Sequence, residues 1–102
     1  MRLEHYSEQR LREQVREIIG KYLDLKQYRI FFFGSRVEKT NTPRSDIDLG
    51  IEGPEEIPGD VRVKILEELE DLPTLYRFDL VDFKRVEAGF KKEALRSVEY
   101  VV

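Results

Sequence analysis

The chain has 102 residues, 40% of them hydrophobic and 38% charged, with a net charge of −3 and no cysteine. That length suits one domain around a single core, and the missing cysteines exclude disulfides and thiolate zinc sites. A weakly acidic balance without a long basic tract argues against strong non-specific binding to nucleic acid, and the absence of a membrane-length apolar run or a signal-peptide start points to a cytoplasmic protein.

In chain order, the first expected element is an amphipathic helix from about Ser7 to Leu23. Leu11, Val15, Ile18, Ile19 and Tyr22 share one face of it, and Ser7 is suited to the N-cap. Tyr28 to Phe33 reads as a strand whose three consecutive phenylalanines imply burial on both faces, hence a central strand covered by helices. Gly34-Ser35 ends it, Arg36 to Thr40 is expected to form a short helical turn, and Asn41-Thr42-Pro43-Arg44 is a loop by composition. Ser45 to Glu52 is the second strand. After a Gly/Pro-rich loop, a helix runs from about Asp60 to Leu72 with Val61, Ile65, Leu66, Leu69 and Leu72 as its apolar stripe, and Pro73 stops it. Tyr76 to Phe83 is the third strand. Val86 to about Arg96 reads as a last helix, weakened by Gly89, with Phe90 and Leu95 inside, and Ser97 to Val102 as a short closing strand. The order α-β-(turn)-β-α-β-α-β defines an α/β (α+β) domain with helices packed on a small mixed sheet.

The chemistry is concentrated between the first two strands. Ten residues after Gly34-Ser35 comes Ser45-Asp46-Ile47-Asp48-Leu49. Side chains alternate along a strand, so Asp46 and Asp48 point the same way, about 7 Å apart. Paired carboxylates beside a turn with free backbone N–H groups suit Mg²⁺ and a polyphosphate, the apparatus of metal-assisted nucleotidyl transfer. A third carboxylate is available in Arg77-Phe78-Asp79-Leu80-Val81-Asp82-Phe83. Asp79 interrupts an apolar run, where an unpaired buried carboxylate is expensive and a metal would explain it. Asp82, three residues on, points to the other face of a straight strand and lies near its end, where Asp commonly serves a turn or a helix cap. Asp79 is therefore the preferred third acid. On the phosphate side, Gly34 lets the backbone approach closely, and the exposed N–H groups with the Ser35 hydroxyl can bind phosphate oxygens. Arg36 and Arg44 read first as solvated surface residues and second as extra positive charge. A lone Asp-x-Asp ordinarily marks an exposed strand edge, and a lone Gly-Ser carries no information; their joint spacing between two strands, with a later Asp in a third, is what calls for a functional explanation. His5, the only histidine, reads as a surface residue, and the run Glu67-Glu68-Leu69-Glu70-Asp71 as the solvated face of a helix.

Gly-Ser, the ten-residue spacing, Asp-x-Asp and a later Asp within an apolar strand together resemble the minimal nucleotidyltransferase domains of the DNA polymerase β superfamily. Members are commonly encoded beside a HEPN-domain partner in prokaryotic toxin–antitoxin pairs. The resemblance covers nearly the whole of 1–102 as one domain, including the closing segment from Phe90 to Val102. It implies a nucleotidyltransferase fold in which Gly34 and Ser35, with Arg36 and Ser45, hold the nucleotide. Asp46 and Asp48 would bind two Mg²⁺ (or Mn²⁺) ions, and Asp79 would help to bind the catalytic one. It also implies transfer of AMP from ATP to a hydroxyl acceptor, such as a tyrosine of a HEPN-type toxin, with this chain as the antitoxin. One departure is visible: members often carry Ala and a second Gly shortly after Gly-Ser-Arg, where this chain has Val37-Glu38-Lys39-Thr40. Two other functions compete. The chain would be a non-catalytic binding module that neutralises its partner by occlusion, or the catalytic subunit of a small-molecule or RNA nucleotidyltransferase whose acceptor-binding part lies on another chain.

Overall fold

A computed structural model describes residues 6–34, 46–74 and 76–101. Helix α1 spans Glu8–Gly20, strand β1 Arg29–Phe33, β2 Ile47–Glu52, helix α2 Gly59–Glu70, β3 Phe78–Asp82, α3 Ala88–Ala94 and β4 Glu99–Tyr100. The four strands form one mixed sheet in the order β3-β2-β1-β4. β1 is antiparallel to both β2 and β4, while β2 and β3 run parallel, joined through α2.

The N-cap expectation holds. Ser7 has extended backbone angles and its hydroxyl accepts from the Arg10 amide at 3.2 Å, satisfying one of the donors left open at a helix start. α1 ends at Gly20, short of Leu23. The chain tightens there, with the Lys21 and Tyr22 amides reaching back to Ile18 and Ile19 carbonyls. α2 likewise ends at Glu70, before Pro73, with a tightened turn through Leu72. α3 is shorter than its expected 86–96 span and buries none of its own residues.

The three phenylalanines of β1 behave as their pattern requires. Ile30 and Phe32 point into the larger core, with Leu11, Val15 and Ile19 of α1, Ile65 and Leu69 of α2, and Ile47, Leu49 and Ile51 of β2. Phe31 and Phe33 point the other way, into a smaller core with Phe83. Partly buried Val86, Ala94, Leu95 and Val98 close that second core from the α3 side. Gly50 makes this packing possible, because a Cβ there would stand 2.5 Å from the Phe31 ring and 2.7 Å from that of Phe83. Ion pairs fasten the rim. Arg12 of α1 donates to the Tyr100 carbonyl at 2.7 Å and to Glu99 at 3.1 Å, tying α1 to β4. Lys21 and Tyr22 both engage Glu68 of α2. Among the described residues no helix is long and apolar enough to cross a membrane.

Candidate active site

Alternation along β2 decides where its acid goes. Ile47, Leu49 and Ile51 face the larger core, so Asp48 and Gly50 face the smaller one. Asp48 lies opposite Phe33, the last residue of β1, and level with Asp79 in the parallel pairing to β3. The two carboxylates thus occupy adjacent strands on the same face of the sheet. Asp46 sits just before β2 and is exposed.

Gly34 completes the arrangement. Its φ of +82° lies in the left-handed region that favours glycine, and a Cβ there would come within 2.0 Å of the Asp48 Oδ2. The turn leaving β1 therefore passes directly over the carboxylate. Asp48 is half-buried under it, and burial pushes its pKa up from 3.8 to about 6, with the charges of Asp79 and then Asp46 adding to the rise. The side chain is held where its own negative charge is unwelcome and a cation would be favoured.

Asp79 differs from expectation. The apolar run around it predicts a buried carboxylate, but it is exposed, because β3 is an edge strand and its α3-side face is only partly covered. The pressure from burial falls on Asp48 instead. Asp82 is the buried acid of β3, 5% exposed on the opposite face. Its carboxylate accepts from the Ile57 amide at 2.8 Å and the Lys84 amide at 2.9 Å, with Arg85 Nε at 3.9 Å. It ties the loop before α2 to the turn after β3, the structural role that its position suggested.

The acids open onto a cavity of about 340 Å³. Gly34, Asp48 and Asp79 form its strand side, and Phe90, Glu93 and Ala94 of α3 form the opposite wall. Phe90, expected inside the last helix, is 44% exposed and stands at this wall. Gly89 beside Phe90 is the sequence sign that this helix is weak; the structure shows α3 to be seven residues long, too short to bury the ring. Ser35, Arg36, Arg44 and Ser45, and the turn expected over Arg36 to Thr40, lie outside the described residues.

Among the described residues no three His, Cys, Asp or Glu side chains are gathered into a ready-made ion cage. The donor set nevertheless fits a hard divalent cation. Mg²⁺ takes oxygen ligands, retains waters and is commonly held by one or two carboxylates together with substrate phosphates. Level carboxylates at Asp48 and Asp79, the first with a raised pKa, meet that requirement.

A family model described as polymerase beta, nucleotidyltransferase matches residues 8–102. The chain belongs to the polymerase β nucleotidyltransferase family. Solved structures with the same fold include a toxin–antitoxin with AMP-PNP, one chain of which is 18% identical, with a TM-score of 0.74 over 89% of this chain and 72% of that one. A second is a tri-AMPylated Shewanella oneidensis HEPN toxin in complex with MNT antitoxin, with 16% identity, a TM-score of 0.72 and coverage of 94% and 72%. A third is the toxin–antitoxin MntA–HepT, with 16% identity, a TM-score of 0.70 and coverage of 93% and 72%. No curated protein sequence matches the chain. The mixed sheet and its flanking helices agree with the nucleotidyltransferase fold expected from the Gly-Ser and Asp-x-Asp pattern.

Proposed function

We propose that this nucleotidyltransferase moves a nucleoside monophosphate, AMP from ATP, onto a hydroxyl of a HEPN-type toxin partner and so acts as a cytoplasmic antitoxin. The observation that carries the chemistry is the half-buried Asp48, roofed by a glycine that has no room for a Cβ and level with Asp79 on the next strand. The partner and the nucleotide rest on the family and on fold relatives described with AMP-PNP and with an AMPylated HEPN toxin.

In this reading Gly34 and Ser35 present backbone N–H groups, and the Ser35 hydroxyl, to the triphosphate, with Arg36 and Ser45 beside them. Asp46 and Asp48 would hold two Mg²⁺ or Mn²⁺ ions, with Asp79 as a further ligand for one of them. The ions, when bound, offset the phosphate charge and ease ionisation of the acceptor hydroxyl. The acceptor oxygen forms a bond to the α-phosphorus, the bond from that phosphorus to the bridging oxygen breaks, and pyrophosphate leaves. Asp79, exposed at the edge of the sheet, would take the hydroxyl proton. Holding the hydroxyl in line with the α-phosphorus is the partner's contribution, and positioning of this kind supplies much of the rate.

The test is to incubate the chain with its co-expressed HEPN partner, Mg²⁺ and ATP, then weigh the partner by mass spectrometry. An AMP adduct that disappears with Asp48→Asn and with Asp79→Asn supports the proposal. Neutralisation of the toxin that survives Asp46→Ala and Asp48→Asn, without an adduct, would instead assign the chain to occlusion.

A further inference from the structure

The cavity beside the two aspartates is chemically two-sided. Its strand wall carries Asp48 and Asp79 under Gly34, with Phe33 and Val81 beside them, and its helix wall carries Phe90 with Ala94 one turn on and Glu93, whose carboxylate pairs with Arg96 at 3.4 Å. At 44% exposed, the Phe90 ring is open to this cavity and not sealed in the core. Nor is this ring loosely placed. It stands 6.3 Å from Phe33 at 90° and 6.0 Å from Phe83 at 47°, distances typical of attractive aromatic pairs, so the smaller core fixes its orientation. α3 has no buried residue of its own, so this cluster is what presents the ring at the cavity.

A nucleotide has the same polarity as the cavity: an anionic chain of phosphates at one end and a flat π-surface at the other. We propose that Phe90 is the platform on which the nucleobase stacks, with the phosphates directed toward Gly34 and the aspartates. The assignment rests on the nucleoside triphosphate reading above and adds the residue that holds the base. Stacking on an aromatic side chain tolerates any base, so Phe90 supplies affinity for the nucleoside end without choosing among bases.

Two probes separate the ends of the site: ATP and inorganic tripolyphosphate, each titrated calorimetrically in Mg²⁺. Phe90→Ala is expected to weaken ATP binding about tenfold, within the range seen on removing one base-stacking ring, and to leave tripolyphosphate binding unchanged. The chain contains no tryptophan, so Phe90→Trp places a single indole in the protein. Its fluorescence is expected to be quenched by ATP and not by tripolyphosphate, with ATP affinity retained. Equal weakening of both probes by Phe90→Ala, or no weakening of either, overturns the assignment, as does an indole that responds alike to both. Unchanged ATP binding with poorer modification of the protein partner also overturns it, and gives this wall to the acceptor. The underlying reading fails separately, and the assignment with it, if the unmutated chain binds neither probe or if Asp48→Asn binds both as well as the unmutated chain does.

Discussion

Replacing Asp48 with Asn is expected to make the metal-free protein more stable while destroying its activity. The carboxylate's pKa rises from 3.8 to about 6 in the fold, led by burial. At 1.36 kcal/mol per pKa unit, that opposes folding by roughly 3 kcal/mol when the group is ionised. The side chain is only half-buried, and water screens part of the effect, which leaves about 1–2 kcal/mol. For a domain of this size each kcal/mol moves the melting temperature by about 4–8 °C, so Asp48→Asn should melt roughly 5–15 °C higher in EDTA at pH 7.5. The sign follows from proton binding. Between pH 4 and 6 the native state holds a proton that the unfolded chain has released, so the unmutated protein loses stability as pH rises through this window. The gap between the two proteins should accordingly be full above pH 6 and close toward pH 4. Millimolar Mg²⁺ with a nucleotide should stabilise the unmutated chain and not the variant. Differential scanning fluorimetry across pH 4–8, with and without Mg²⁺, measures all of this. An Asp48→Asn protein that melts lower than the original in EDTA at pH 7.5, or a gap that persists undiminished at pH 4, would refute the reasoning.

Four further outcomes follow from the same geometry. Gly34→Ala should abolish transfer and cost about 1–3 kcal/mol of stability by urea unfolding, because the new methyl group meets both a left-handed backbone and the Asp48 carboxylate at 2.0 Å. Asp79→Asn should remove AMP transfer with little change in melting temperature, since the side chain is exposed. Asp82→Ala should do the reverse, leaving the Ile57 and Lys84 amides without their acceptor and costing about 2–4 kcal/mol, with activity per folded molecule retained; exchanged phenotypes would mean that β3 has the wrong register. ATP binding by calorimetry should be tight with Mg²⁺ or Mn²⁺ and should collapse in EDTA, because the described site supplies only carboxylate oxygens and backbone, and equal binding in EDTA would count against a metal-bridged nucleotide.

The parts of this fold that were legible from residues alone are those with a strong local cause. Leu11, Val15, Ile18 and Ile19 at helical spacing after a serine cap define α1, and both faces of the Phe31–Phe33 run are buried as three successive aromatics demand. Asp82 falls on the face opposite Asp79 because strand alternation allows nothing else. Less legible was what depends on neighbours distant in sequence. That Asp79 is exposed follows from β3 lying at the edge of the sheet, and strand order is not written in any one segment. The burial of Asp48 comes from the Gly34 turn passing over it, a contact across the β1–β2 pair. The helix ends were misjudged for a related reason. Apolar residues such as Tyr22 and Leu72 do reach the core, but from tightened turns rather than from the helices themselves. Phe90 falls inside the expected last helix, but α3 is too short to turn it fully inward.

The alternation of β2 has a consequence for how faithfully the sheet assembles. If β2 slid by one position along β1, Leu49 would land beside Gly34 and Asp79, and Asp48 would be driven between α1 and α2, among fully buried aliphatic side chains. An unpaired carboxylate in such a place is costly enough to eliminate the misaligned chain. The acid proposed to hold the metal would therefore also help to fix the strand pairing during folding. An Asp48→Asn protein gains thermal stability and gives up part of that discrimination, so it should refold with more misaligned or aggregated product than its melting temperature would suggest.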